Sequence, residues 1–232
     1  MERGTYFDRD RAVVVQNEFI RKVYNWMALG LAVTAISALY TASSPGLLQV
    51  IFGNPVVLIV LIMAELGLVI GISAAINRIT SSTALFMFFA YSFLNGLTLS
   101  SIFIVYTSAS IANTFFVTAG TFGAMSLYGY TTRRDLTSWG GFLMMGLVGI
   151  IIASIVNIFI QSDQISWLVT YLGVFIFVGL TAYDTQKIKA MAYAGFSGDE
   201  MARKGAILGA LTLYLDFINL FLLLLRIFGR RD

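Results

Sequence analysis

Seven runs of apolar residues divide this chain, each close to the roughly 20 residues that carry a helix across a bilayer. They cover residues 24–42, 55–76, 83–106, 112–130, 141–160, 166–186 and 206–228. Each run is continuously apolar, whereas the strands of a membrane barrel are about 10 residues long and alternate in character. The pattern predicts an all-α polytopic membrane protein with seven transmembrane helices. Composition points the same way: 12% of the 232 residues are charged, where a soluble domain carries roughly 25% and can cover a wet surface. No cleavable signal is legible at the N-terminus, so residues 1–22 read as a polar tail and 23–232 as the transmembrane domain.

Lysine and arginine set the expected orientation. Arg3, Arg9, Arg11, Arg21 and Lys22 lie in the tail, Arg78, Arg133 and Arg134 in two alternate loops, and Lys187, Lys189, Arg203 and Lys204 in the stretch 187–205. These are twelve of the fifteen basic residues, and the intervening loops 43–54, 107–111 and 161–165 hold none. By the positive-inside rule the tail is cytoplasmic. Seven spans then place the C-terminus outside, with Arg226, Arg230 and Arg231 against the rule. The pI near 9.2 therefore reflects topology and gives no ground for a nucleic-acid partner. The bilayer is the expected partner.

The chain contains neither Cys nor His. That removes thiol nucleophiles, thiolate metal sites and imidazole acid–base chemistry. The loops leave no room for a soluble catalytic domain, so no enzyme activity and no cofactor is expected.

Four charges fall inside apolar runs: Glu65, Asp184, Asp216 and Arg226. A charge at bilayer depth costs at least about 2.5–3.5 kcal/mol, so such residues usually face the bundle interior and have partners. Thr212, Asp216 and Asn219 share one helix face in the last run. That stripe either serves a function or joins helices through hydrogen bonds. Asp184 follows Thr181 by three residues near the end of the sixth run, where it either meets Asp216 or is wetted at the membrane edge. Two carboxylates that meet cannot both ionise cheaply, so the pair would share one proton. Counting from the helix ends, however, separates them by roughly 13 Å in depth. Glu65 and Arg226 both belong to the outer half. They either form an ion pair or leave Arg226 reaching to the outer headgroups. Asn95, with Gly96 and Thr98, either lines a cavity or packs the third helix. The spacings Gly67-xxx-Gly71 and Gly205-xxx-Gly209 permit close helix approach.

Two segments carry a resemblance. Gly179-Leu-Thr-Ala-Tyr-Asp-Thr-Gln-Lys-Ile-Lys189 and Leu213-Tyr-Leu-Asp-Phe-Ile-Asn-Leu-Phe-Leu222, the latter followed by Arg226-Ile-Phe-Gly229, resemble the signatures of the Bax inhibitor-1 family, above all its bacterial inner-membrane members. The resemblance implies six helices around a central seventh and a pH-sensitive calcium leak gated by paired aspartates, which map onto Asp184 and Asp216. It implies that Ca²⁺ is transported and held there only weakly and transiently. It also implies a Glu65–Arg226 pair and an arginine beside the aspartates, for which Arg78 is the nearest counterpart. Thr181, Thr212, Asn219 and Asn95 would then line the path.

Two other functions compete with the leak. A non-conducting regulator would use the stretch 187–205 to bind membrane-protein partners. An intramembrane aspartyl protease would need glycines before its aspartate, and Leu213, Tyr214 and Leu215 stand there instead. Proton-coupled exchange is a variant of the leak that the sequence does not separate.

Overall fold

The computed structural model describes residues 2–193 and 198–230, with side chains at 14–192 and 198–230. Arg3, Arg9, Arg11 and Arg231, used above for orientation, have side chains outside the described residues. The order is α1 (Glu2–Ala42), α2 (Pro45–Phe52), α3 (Pro55–Ala75), α4 (Ser81–Leu99), α5 (Ile102–Val105), α6 (Ser108–Thr131), α7 (Thr137–Ile160), α8 (Asp163–Tyr193) and α9 (Asp199–Phe228). The fold is helical, as the apolar runs predict.

Local chemistry marks several helix starts: α3 begins where expected, and α4 and α6 begin two and four residues before the expected 83 and 112. Pro55 opens α3 behind Asn54, whose side chain accepts the Val56 amide at 3.0 Å; proline fits the first helical turn because its missing N–H has no partner there anyway. Thr80 and Thr107 cap α4 and α6 by accepting the amides of Thr83 and Ser110. Gln161 ends α7 in the left-handed region at φ 53°.

Elsewhere the structure corrects the reading. The expected tail is helical from Glu2 and continuous with the first apolar run in α1. The stretch 187–205 is mostly helical: α8 runs on to Tyr193 and α9 begins at Asp199. A hydrophobicity window ends a helix where apolar residues stop, whereas backbone hydrogen bonding continues through polar ones. The third run is not one helix; it breaks at Ser100 and Ser101, whose hydroxyls donate back to the carbonyls of Leu97 and Thr98. Such back-bonding favours a bend. Among the described residues, six helices are long and apolar enough to span a membrane; α6 falls short of that apolarity.

The chain divides into two compact units. The first comprises Met1–Val105 and Ile188–Tyr214, the second Tyr106–Lys187 and Leu215–Asp232. In the first, α1 and α4 pack so closely that a Cβ on Gly96 would lie 2.5 Å from the Thr34 carbonyl oxygen. Phe88 and Tyr91 pack edge-on against Tyr214. In the second, Leu143, Ile176, Phe177, Leu180, Leu220 and Leu224 form the core, and Phe217 stacks edge-on with Phe115 and Phe122. Lipid tails are as apolar as leucine, so close packing holds these helices together more than the hydrophobic effect does. The apolar stretches of α3 and α7 are only 6% buried, against 67% for α9. Among the six candidate spans, α9 thus has the largest buried share.

Candidate functional site

The second unit brings two carboxyl groups together. Asp184 on α8 and Asp216 on α9 are both buried, and their side chains are hydrogen-bonded to each other. A hydrogen bond between two carboxyl groups needs one proton between them. The depth count took the end of the sixth apolar run as the end of the helix, and α8 runs on to Tyr193. Lys187, three residues past Asp184, is the cation whose field reaches it. Asp216 Oδ2 is buried without a hydrogen-bond partner, and so is Ser126 Oγ on α6. Buried polar atoms are nearly always satisfied, so an orphaned carboxylate oxygen is a place where something is accepted.

Small residues set this geometry. On Gly129 of α6, a Cβ would stand 2.1 Å from the Ala182 carbonyl oxygen; on Gly140 of α7, it would stand 2.3 Å from the Tyr183 ring. Both neighbours lie within two residues of Asp184. Only glycine lets α6 and α7 approach that turn of α8. Gln186 holds the connecting loop in place, donating to the Arg134 carbonyl at 2.8 Å and accepting the Leu136 amide at 2.9 Å. Gln186 lies in one of the two segments above, and Ser126 and Gly129 in Gly123–Gly129, which also carries the family resemblance, but the sequence assigns them no role; Ser126 and Gly129 form a small-residue face at helical spacing.

The predicted polar stripe turns inward on its own helices. Thr181 donates to Phe177 O, Thr212 to Leu208 O and Asn219 to Leu215 O. Each of these bonds lies within one helix, so none of them joins helices.

The first unit holds a different polar cluster. Glu65 on α3 accepts from Thr98 Oγ1 at 2.9 Å and from Asn95 Nδ2 at 3.4 Å. Asn95 Oδ1 accepts in turn from the Tyr214 hydroxyl at 3.2 Å, and that hydroxyl lies 2.6 Å from Thr34 Oγ1. Tyr214 is fully buried. The network ties α1, α3, α4 and α9 together, and Tyr214 is the member that sequence reasoning missed. Arg226, in the second unit, donates to Ser166 Oγ and lies over the Trp167 ring at 5.8 Å. Glu65 and Arg226 thus each have partners inside their own unit. Arg78 lies exposed in the turn after α3, in the first unit, while the aspartate pair belongs to the second.

With this geometry in hand, comparison with known proteins is decisive. The family described as "inhibitor of apoptosis-promoting Bax1" matches residues 16–232. The chain belongs to the Bax inhibitor-1 family. Among its relatives, the inner membrane protein YbhL of Escherichia coli K12 is 58% identical over 214 residues, covering 92% of each chain. A protein of Borreliella burgdorferi is 48% identical over 94% of each chain. Protein RP147 of Rickettsia prowazekii is 46% identical over 92% of this chain and 89% of its own. Membership of the Bax inhibitor-1 family and six spanning helices make this a multi-pass membrane protein that works within a lipid bilayer.

Proposed function

We propose that this Bax inhibitor-1 family member is a pH-sensitive calcium leak of the bacterial inner membrane, gated at Asp184 and Asp216. The observation that carries the reading is the buried, hydrogen-bonded carboxyl pair with one unpartnered oxygen. With one proton shared, the hydrogen bond latches α8 to α9. With the proton lost, two adjacent negative charges repel each other or draw in a cation. Calcium, an oxygen-seeking ion, suits that site. It is cargo here, since two carboxylates are too few for a tight cage and suit passage better than storage. The name of YbhL and the basic residues of the alternate loops support an inner-membrane location with the N-terminus cytoplasmic; the C-terminus is periplasmic if α6 crosses as a seventh span.

One observation favours a second reading. Thr181, Thr212 and Asn219 donate to carbonyls of their own helices, which holds their side chains against the helix backbone. A non-conducting regulator of other membrane proteins needs no lined path. Purified protein in calcium-loaded liposomes separates the readings. Calcium release without proton counterflow identifies a leak, and release with stoichiometric proton uptake identifies an exchanger. No release at any pH, with a membrane protein co-purifying in equal amount, identifies the regulator.

A further inference from the structure

A cavity of about 480 Å³ opens in the first unit among the first turns of α4, the early turns of α9 and the middle of α1. It is unrelated to the aspartate pair, and its lining is ordered. Lys22 and Asn25 precede Leu29 on α1, Ser82 precedes Leu85 on α4, and Arg203 precedes Ile207 on α9. In each helix the polar residue comes first and the apolar one follows by three or four positions, hence on the same face. Basic residues place the starts of these three spans at one membrane face. The cavity is therefore cationic toward the water and apolar toward the membrane interior, with Trp26 at the boundary, where tryptophan is enriched in membrane proteins.

The charge is available. Among the described residues neither Lys22 nor Arg203 forms a salt bridge. No carboxylate lines the cavity. Glu18 stands one turn before Lys22 on α1. Glu200, three residues before Arg203, lies in that arginine's field, and its carboxylate accepts the Ser81 amide at 2.6 Å and the Ser81 hydroxyl at 2.8 Å. It caps α4, and the cavity lining itself stays net positive. The guanidinium fork matches phosphate oxygens in pairs, while the lysine acts as a point charge. The volume lies within the roughly 300–1,000 Å³ of small-molecule sites.

We propose that this cavity binds the phosphate of an anionic phospholipid, held by Lys22 and Arg203, with the glycerol and first acyl carbons against Trp26, Leu29 and Ile207. A free phosphate would use the cations and leave the apolar half empty; a zwitterionic lipid would find no carboxylate for its ammonium. Basic pockets between membrane helices are suited to such headgroups, each cation contributing on the order of fivefold in affinity.

The test is native mass spectrometry of the full chain in detergent, with phosphatidylglycerol, phosphatidylcholine or inorganic phosphate added at matched concentrations. The wild type is expected to retain one phosphatidylglycerol about tenfold more tightly than phosphatidylcholine, and the Lys22→Gln/Arg203→Gln variant to lose that preference. Ser82→Glu, which leaves both cations in place and puts a carboxylate into the cavity, is expected to lose it as well, and keeps the test open if the double variant fails to fold. Arg134→Gln, a basic residue of the other unit, should leave retention unchanged. Equal retention of both lipids, or undiminished preference in both cavity variants, overturns the proposal. Inorganic phosphate retained as tightly as phosphatidylglycerol overturns the lipid assignment.

Discussion

The two units hold their intramembrane carboxylates in different ways, although each also has an unpartnered buried side-chain atom elsewhere, such as Thr41 Oγ1 in the first. In the first, Glu65, Thr98, Asn95, Tyr214 and Thr34 form a continuous hydrogen-bonded network in which each named group has a partner. In the second, Asp184 and Asp216 meet with one carboxylate oxygen left over. A satisfied network rigidifies the helices it joins; a partly satisfied one retains capacity to take up a proton or an ion. The contrast teaches that charge inside a membrane is not by itself a functional signal. Glu65 and Asp216 look alike in the sequence, and only their partners separate a structural carboxylate from a candidate gate.

This contrast can be broken or sharpened by substitution, with thermal unfolding in detergent micelles as the measurement. The largest effect is expected at Gly129→Ala, where the added Cβ meets backbone that cannot step aside. It should destabilise by about 3 kcal/mol, the upper range for overpacking, and displace the turn carrying Asp184; an unchanged melting temperature would show that α6 does not hold the pair. Tyr214→Phe comes next. It removes the donor to Asn95 and should destabilise the first unit by about 1–2 kcal/mol. A neutral outcome would mean that the network is not structural. Gly67→Ala is smaller and opposite in sign. A Cβ there meets nothing within 4 Å, so the gain is at most about 1 kcal/mol from helix propensity; a loss would mean that this glycine packs against something after all.

The smallest effect concerns Asp135 in the loop before α7. Hydrogen bonds from the Thr137 side chain and amide hold its carboxyl below the usual carboxylate range. Because the folded-state value is depressed, its contribution is present above the unfolded carboxylate value and is lost as pH falls through the folded one. Asp135→Asn should therefore flatten a slight acid-side loss of stability and leave neutral pH untouched. An unchanged acid slope would remove Asp135 from the account.

The legibility of the chain followed the same division between pattern and partner. Helix α3 could be read to within a residue because Asn54-Pro55 marks its start and a continuous apolar run fixes its length. Helix α7 ends where its run ends, at Ile160. Helix α2, which begins at Pro45 within the expected loop 43–54, was hidden because eight residues are too few for a spanning signal. The polar extensions of α8 and α9 were hidden because hydropathy reports the membrane and not the helix. In the site, the two aspartates were legible from their cost at bilayer depth. Their meeting was not, since it depends on how the helices cross. Gly129 and Gly140 were illegible because a glycine that a neighbour's backbone requires looks the same in sequence as one facing open space, such as Gly67. The inward turn of Thr181, Thr212 and Asn219 follows from a choice between two acceptors, a neighbouring helix or their own carbonyl four residues back, that spacing leaves open.

The central claim is that the aspartate pair, and not the Glu65 network, governs ion passage. Calcium efflux from liposomes should be followed across a pH series for the wild type, Asp216→Asn and Asp184→Asn. The account predicts efflux that rises with pH in the wild type as the shared proton is lost, and efflux independent of pH in both variants, whose amide keeps a hydrogen bond but cannot ionise. Absence of efflux at every pH, or a pH dependence that survives in Asp216→Asn, would contradict it.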